Sequence, residues 1–233
     1  RDRTSTKGYW GINLFSEKLI KNSKIRTKLV KSLDTEAFRK IWNLEAPKHS
    51  SVVPKFFGKF SSYESRTANS APRSDELIFK ETLTVRYIKG TPNSASLEKA
   101  LNDWAKRAHL NFEIIPTPFT QLVENIFNND TDILVYAELS TGNLEQFLGW
   151  IYKAGLKFYR DKKRLVKLWD DFLDNQSHQN IDALSKVLFD TKVFVPLYDF
   201  ERPLTFRKNF SVINFPDSGL AGLMISNYRK TKK

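Results

Sequence analysis

Between residues 83 and 136, the sequence alternates repeatedly between strand-like and helix-like patterns. Short apolar and β-branched runs at Leu83–Ile88, Phe112–Pro116 and Asp132–Tyr136 predict strands. The segments between them, Ser94–His109 and Phe119–Asn128, have the apolar spacing of helices. Strands that alternate with helices of this length form βαβ units, which require a parallel sheet with covered faces. We therefore predict an α/β fold.

Polar side chains follow the third predicted strand, at its carboxyl end. Open parallel sheets bind ligands in the loops beyond the carboxyl ends of their strands. The loop Ser140-Thr141-Gly142-Asn143 offers hydroxyl and amide groups there, so we predict that Ser140, Thr141 and Asn143 contact a ligand. A catalytic serine is the alternative, but no glycine-flanked nucleophile elbow surrounds Ser140. We therefore favour a hydrogen-bonding loop.

The segments on either side of this core also have regular patterns. Before it, Gly8–Phe15 predicts an aromatic strand, Ser23–Ser32 predicts a basic helix, and Asp34 is placed to cap a second helix. Residues 61–74 are rich in Ser, Asn, Ala and Pro and predict a loop. After the core, three helices are predicted: one through Phe147 and Trp150, one at Lys162–Leu173 and one at Ile181–Phe189. They are followed by a strand at Val193–Tyr198 that ends in a turn and by short strands at 204–207 and 212–215. The tail from Asn227 is predicted to be frayed.

Composition limits the kind of protein that this chain can be. Its 233 residues are 40% hydrophobic, which is enough for one domain with its own core. The absence of cysteine excludes disulfides and thiol catalysis in this sequence, and no apolar run is long enough to cross a bilayer. The sequence begins with Arg1 and its only methionine is Met224, so we expect it to be part of a longer protein.

The net charge of +12 raises the question of nucleic-acid binding. Five lysines at three- and four-residue spacing would share one face of a helix and could follow a phosphate backbone. They are Lys18, Lys21, Lys24, Lys28 and Lys31. Such stripes are more often the solvated side of an amphipathic helix, so a nucleic-acid partner is the less favoured interpretation.

No set of residues in the sequence predicts catalysis or metal binding. His49, His109 and His178 are interpreted as ordinary surface or packed histidines. Asp130 and Asp132 could form a catalytic dyad, but turn chemistry before a strand explains both. We predict a binding protein rather than an enzyme, with no metal and no cofactor.

Several segments also match one known pattern in order. Tyr9-Trp10-Gly11-Ile12-Asn13 is an aromatic-x-Asn strand, followed by a helix pair within residues 24–35. Asp132–Tyr136 forms a second segment, and Val195–Tyr198 with residues 204–207 forms a return strand. Together they resemble the carboxy-terminal portion of the extracellular solute-binding proteins of the oligopeptide, dipeptide and nickel ABC-transporter family (family 5).

The resemblance implies a periplasmic-binding-protein-like (type II) lobe with a mixed, largely parallel sheet flanked by helices, and with the amino-terminal lobe missing. It implies a lead-in strand, helix pair and loop at residues 1–75 and an α/β lobe at residues 76–199. Residues 200–233 would then pack on the missing lobe. The ligand would lie in the cleft between the two lobes.

Further ligand-binding residues follow from the same resemblance. They are Tyr9, Trp10, Asn13, Tyr136, Glu138 and Tyr198. Tyr9, Trp10, Tyr198 and Phe206 could form stacking platforms, although aromatic residues at such spacing are more often core. The family's Gly-Trp pair after the third strand is Ala137-Glu138 here, and no aspartate follows it in the loop. Glu138 is therefore the carboxylate that could meet the amino group of a peptide.

The implied function is the solute-binding component of an ABC importer, which captures peptide or another small polar solute. Its other partner would be the membrane permease, and its location would be the periplasm or the cell surface as a lipoprotein. Two alternatives stay open from the sequence. One is a ligand-sensing domain of a transcription regulator, and the other is a basic nucleic-acid-binding module.

Overall fold

A computed structural model describes residues 5–14, 16–41, 52–54, 57, 79–128, 130–139, 143–203, 210–212 and 228–230. The strands are β1 (Ser5–Leu14), β2 (Thr82–Ile88), β3 (Asn111–Thr117), β4 (Ile133–Leu139), β5 (Phe194–Pro203), β6 (Phe210–Val212) and β7 (Tyr228–Lys230). The helices are α1 (Glu17–Lys21), α2 (Ser23–Ser32), α3 (Thr35–Ile41), α4 (Ser94–Ala108), α5 (Phe119–Phe127), α6 (Leu144–Phe158), α7 (Lys162–Asp174) and α8 (His178–Thr191).

The main sheet is mixed and has the strand order β3-β2-β4-β1-β5. β2 is parallel to both β3 and β4, whereas β1 is antiparallel to both β4 and β5. The predicted βαβαβ core is confirmed, since its three strands and two helices form within a few residues of the predicted boundaries. The predicted helix pair is confirmed as well, and the Asp34 carboxylate accepts a hydrogen bond from the Ala37 backbone N–H at 3.0 Å.

The two crossovers of this core run in opposite directions. α4 connects β2 to β3 at the edge of the sheet, and α5 leads back past β2 to β4. Right-handed crossovers in opposite directions place their helices on opposite faces. The loops after β2, β3 and β4 share one end of the sheet, which we call the carboxyl end. The start of β1 reaches the same end, because Gly8 lies opposite Leu139.

One face of the sheet is covered by α1–α4 and forms the first core. Alternation along β1 directs Trp10, Ile12 and Leu14 into it. α4 contributes Trp104, which is 1% exposed and whose indole Nε1 donates to the Leu29 carbonyl oxygen at 2.9 Å. The polar atom of this buried tryptophan is therefore satisfied by the backbone of α2.

The other face packs against α6–α8 and forms the second core. Phe194 of β5 meets Phe147 of α6 edge to face, with ring centroids 5.9 Å apart. Tyr152 of α6 stacks on Trp169 of α7 at 4.5 Å with an interplanar angle of 9°. Aromatic contacts therefore connect both the sheet to the helices and the helices to each other.

Two predictions for the carboxyl-terminal part are wrong. β5 does not end in a turn after Tyr198 but continues to Pro203, because β1 extends the ladder to the pair Ser5 and Pro203. The tail is not frayed throughout, since β7 pairs with β6 as a two-stranded antiparallel sheet. The loop predicted at 61–74 and the strand predicted at 204–207 lie outside the described residues.

Candidate ligand-binding site

Three adjacent strands bring predicted site residues together near the carboxyl end of the sheet. On β1, Tyr9 is the register partner of Glu138 on β4 and of Asp199 on β5. The next residue, Trp10, pairs with Tyr198 on β5. Positions far apart in sequence are thus neighbours across β4, β1 and β5.

Asp199 was not predicted from the sequence. It follows Tyr198, where the sequence pattern indicated a turn, and only the longer ladder with β1 places it opposite Tyr9. A signal was present in the sequence, because aromatic and charged residues alternate with one another from Tyr198 to Glu201. In the sheet register, Tyr9 therefore lies between two acidic residues, with Glu138 on one side and Asp199 on the other.

The β1–β5 ladder has an irregularity directly beside this row. Its register shifts between Trp10 and Gly11, so that Gly11 pairs with Pro196. A Cβ at Gly11 would lie 2.1 Å from Cε2 of Phe194, which only glycine avoids. Bulges of this kind bend a strand and often lie next to binding sites.

Two of the predicted aromatic site residues, Trp10 and Tyr136, pack against other parts of the protein. Trp10 is 6% exposed and belongs to the first core, so its indole is packed beneath the helices. Tyr136 is half-buried, and its ring lies 6.3 Å from that of Trp150 on α6. Tyr136 lies three residues before the carboxyl end of β4, close to the predicted loop.

The predicted polar residues fall into three groups. Asn143 caps α6, because its side chain accepts from the Gln146 backbone N–H at 3.0 Å. Asn13 is fully buried in β1, about 13 Å from Tyr9 at the usual rise of a strand. Ser140 and Thr141 lie outside the described residues.

At the opposite end of the sheet, Asp132 has a structural role. Its carboxylate is almost completely buried and accepts hydrogen bonds from the Thr84 backbone N–H at 2.8 Å and from Lys18 Nζ at 3.3 Å. Asp132 therefore connects the start of β4 to β2 and α1 through its carboxylate, rather than through the predicted turn.

The structure divides the predicted lysine stripe between two helices. α1 ends at Lys21 and α2 begins at Ser23, with Asn22 between them as the cap of α2. Lys18 is bound to Asp132, and Lys21 lies 3.8 Å from Glu17. The prediction of one continuous lysine face is therefore wrong.

Arg26 of α2 contacts both α1 and α6, and none of these contacts involves a carboxylate. Its guanidinium donates to the Leu19 and Ile20 carbonyl oxygens at the end of α1 and lies 4.6 Å from the centroid of the Phe158 ring. Burial lowers the pKa of Arg26 from its ordinary value, since desolvation disfavours the charged form. The contact joins α2 to the end of α6.

Neither metal ligands nor membrane-spanning helices occur in the described ranges. No three His, Asp or Glu side chains in those ranges lie close enough to hold an ion. His178 begins α8 and lies 3.9 Å from Asp182, and His109 follows α4 in a left-handed conformation. No helix among the described segments is both long and apolar enough to cross a bilayer.

No family model matches the sequence, and no curated protein sequence matches it. Solved structures do match its fold. OppA of Burkholderia pseudomallei is similar with a TM-score of 0.74 and 12% identity, over 99% of this chain and 50% of that one. The oligopeptide-binding protein AppA of Bacillus subtilis, solved with a nonapeptide, gives 0.72 and 15%, over 100% and 53%. The murein tripeptide binding protein MppA of Escherichia coli gives 0.72 and 11%, over 98% and 50%.

These likenesses define the class of fold. The chain has the architecture of a portion of an oligopeptide-binding protein, and it spans about half the length of the matched structures. The resemblance inferred from sequence motifs is confirmed at the level of the fold.

Proposed function

We propose that this chain is one lobe of the solute-binding component of an ABC importer, and that it binds peptide or another small polar solute in a cleft shared with a second lobe. The observation that carries the proposal is the match of almost the whole chain to about half of several structures that are described as oligopeptide-binding or murein tripeptide-binding proteins. The chain's own geometry adds support, because Tyr9 and Glu138 are register partners near the carboxyl end of the sheet, where open α/β sheets bind ligands.

The ligand would contact this lobe through Tyr9 and Glu138, together with Ser140 and Thr141 of the following loop. Glu138 would face the ammonium group of a peptide. A desolvated ammonium requires a carboxylate, because an unpaired buried charge costs several kcal/mol. This assignment makes the lobe a selector of ligands that carry a free amino group.

Delivery requires that binding change the conformation. The two lobes would close on the ligand through contacts made only in the closed form, which shifts an open–closed equilibrium. The closed form would then dock on an ABC permease, and the protein would lie in the periplasm or on the cell surface as a lipoprotein. The role is capture rather than turnover.

The proposal is tested by thermal shift and calorimetry on the protein with both lobes, against free peptides of mixed sequence. A ligand at one hundred times its Kd should stabilise the protein by about 2.7 kcal/mol. If the protein unfolds cooperatively but shows neither a thermal shift nor a heat of binding with any peptide or other polar solute, the proposal is contradicted.

A matched pair of variants tests the amino-group assignment. Glu138→Gln should weaken peptide binding at least tenfold, and acetylation of the peptide's amino terminus should weaken binding to the parent protein by a similar factor. Glu113→Gln, at an exposed position of the edge strand β3, should leave affinity unchanged. Equal affinity for acetylated and free peptides would remove Glu138 from this role without removing the importer proposal.

A further inference from the structure

Asn13 is a fully buried polar residue of the sheet. It lies on β1, which is hydrogen-bonded to β4 on one side and to β5 on the other. Its register partners are Leu134 and Phe194, and its exposure is 0%. Asparagine is disfavoured both in strands and in protein interiors, so a reason is needed for an amide between Ile12 and Leu14.

The amide of Asn13 has no hydrogen-bond partner among the described residues, at either Oδ1 or Nδ2. An asparagine side chain offers two donors and two acceptor lone pairs. Leaving one buried polar group unsatisfied costs about 1 to 3 kcal/mol. Ser185 and Thr131 also have unpaired buried hydroxyls in the described part of the chain, but each has a single oxygen. Among the neutral side chains of the described residues, Asn13 therefore has the most buried polar atoms without a hydrogen bond.

The protein cannot supply the partner from the neighbouring strands. Ile12 and Leu14 point into the first core, so Asn13 is directed to the opposite face. Leu134 and Phe194, which flank it there, are apolar. Two residues away on the same face is Gly11, but the Phe194 ring already fills the space beside it. The missing partner must be small enough to be enclosed.

We propose that the Asn13 amide binds an internal water molecule on the second-core side of the sheet. Buried waters typically make about three hydrogen bonds to groups that would otherwise be unsatisfied, and an amide with a free oxygen and a free NH2 provides two of them. A cation fits poorly, since no cluster of acidic or histidine ligands occurs in the described ranges. A solute fits poorly as well, because the side chain has no exposed surface. This assignment removes Asn13 from the predicted ligand contacts.

A high-resolution crystal structure of the protein tests the proposal directly. It should show a water molecule about 2.7 to 3.2 Å from Oδ1, from Nδ2 or from both. In solution, the side-chain NH2 protons of Asn13 should show a nuclear Overhauser effect to a slowly exchanging water. An empty, dry site around both amide atoms would overturn the proposal, as would a direct hydrogen bond from the amide to a protein group.

The variant Asn13→Leu separates a hydrated amide from a dry one. Leucine has nearly the same size but cannot hold water. If water satisfies the amide, the substitution should leave the melting temperature unchanged or lower it, and the water signal should disappear. If the amide is dry and unsatisfied, the apolar residue should raise the melting temperature by several degrees, and the proposal fails. Ser185→Ala serves as the control, since it removes a buried hydroxyl but should leave the Asn13 water signal intact.

Discussion

In the first core, two side chains of α4 donate hydrogen bonds to backbone carbonyls of α2, whereas in the second core aromatic pairs connect the helices to the sheet and to each other. Trp104 donates to Leu29, and Arg107 Nε donates to the Ser32 carbonyl oxygen at 3.0 Å. Both acceptors lie in the last turn of α2, where carbonyl groups lack intrahelical partners. The first core thus fixes its helices by burial and hydrogen bonding together.

The second core has one polar anchor of this kind and relies on aromatic contacts elsewhere. Its polar anchor is Asn180, whose Nδ2 donates to the Asp171 and Asn175 carbonyl oxygens and so joins α8 to α7. The contacts from helices to sheet are aromatic, as between Phe147 and Phe194. The comparison teaches that the two cores should respond differently to the same kind of substitution.

The largest expected difference is among three tryptophans. Trp104→Ala should lower the free energy of unfolding by about 3 to 5 kcal/mol, because it opens a cavity in the first core and removes one of the two side-chain hydrogen bonds that the Leu29 carbonyl oxygen accepts. Trp169→Ala, at a half-buried site, should cost less than half as much. Trp150→Ala, at 40% exposure, should stay within about 0.5 kcal/mol. Urea unfolding measures all three, and equal losses for Trp104 and Trp169 would refute the contrast.

The second prediction concerns two glycines of the second face. Gly11→Ala should destabilise the protein by about 1 to 3 kcal/mol, because the new Cβ overlaps the Phe194 ring within the sheet. Gly149→Ala is the matched control. Its Cβ would lie 3.1 Å from Cη2 of Trp169, and alanine favours a helix by up to about 1 kcal/mol over glycine. Its unfolding free energy should therefore be unchanged or slightly higher.

The third prediction tests the ion pair between α1 and the sheet. Asp132→Ala should cost about 1 to 3 kcal/mol, because it leaves the partly buried Thr84 N–H without its acceptor. Lys18→Met should cost less than about 1 kcal/mol, since the lysine is 44% exposed and solvent screens its charge. Chemical denaturation decides the order; a larger effect for Lys18 would show that the ion pair, and not the backbone contact, gives Asp132 its role.

The last prediction concerns Tyr87 of the first core, where we expect the substitution Tyr87→Phe to change the free energy of unfolding least at neutral pH. Burial, together with the hydrogen bond that its hydroxyl donates to Glu98, raises the pKa of Tyr87 to about 12. Since its unfolded pKa is about 10, the neutral phenol stabilises the fold fully below pH 10, and this contribution is lost as the pH rises towards 12. The parent protein should therefore lose stability in that interval, and Tyr87→Phe should lose less. Parallel curves for the two proteins would contradict the assignment.

Local periodicity accounts for the part of the fold that the sequence predicts. The helix pair at α2 and α3 and the βαβαβ core follow from apolar spacing within single segments. The extension of β5 to Pro203 was missed because those residues are charged and contain proline, and they form a strand only by pairing with the start of β1.

The candidate site was predictable in its location but not in its pairing. The carboxyl end of β4 follows from the sheet topology. The neighbourhood of Tyr9, Glu138 and Asp199 depends on long-range register, which no local pattern encodes. The burial of Trp10 and Asn13 likewise depends on which helices cover each face of β1.

The most direct test of the central claim is a crystal structure of the protein with both lobes and a bound peptide. The account predicts that the peptide lies between the lobes at the carboxyl end of the sheet, with its amino group within hydrogen-bonding distance of Glu138. A peptide bound elsewhere on the helices, or a carboxyl end packed solidly against other protein segments with no space for a ligand, would contradict it.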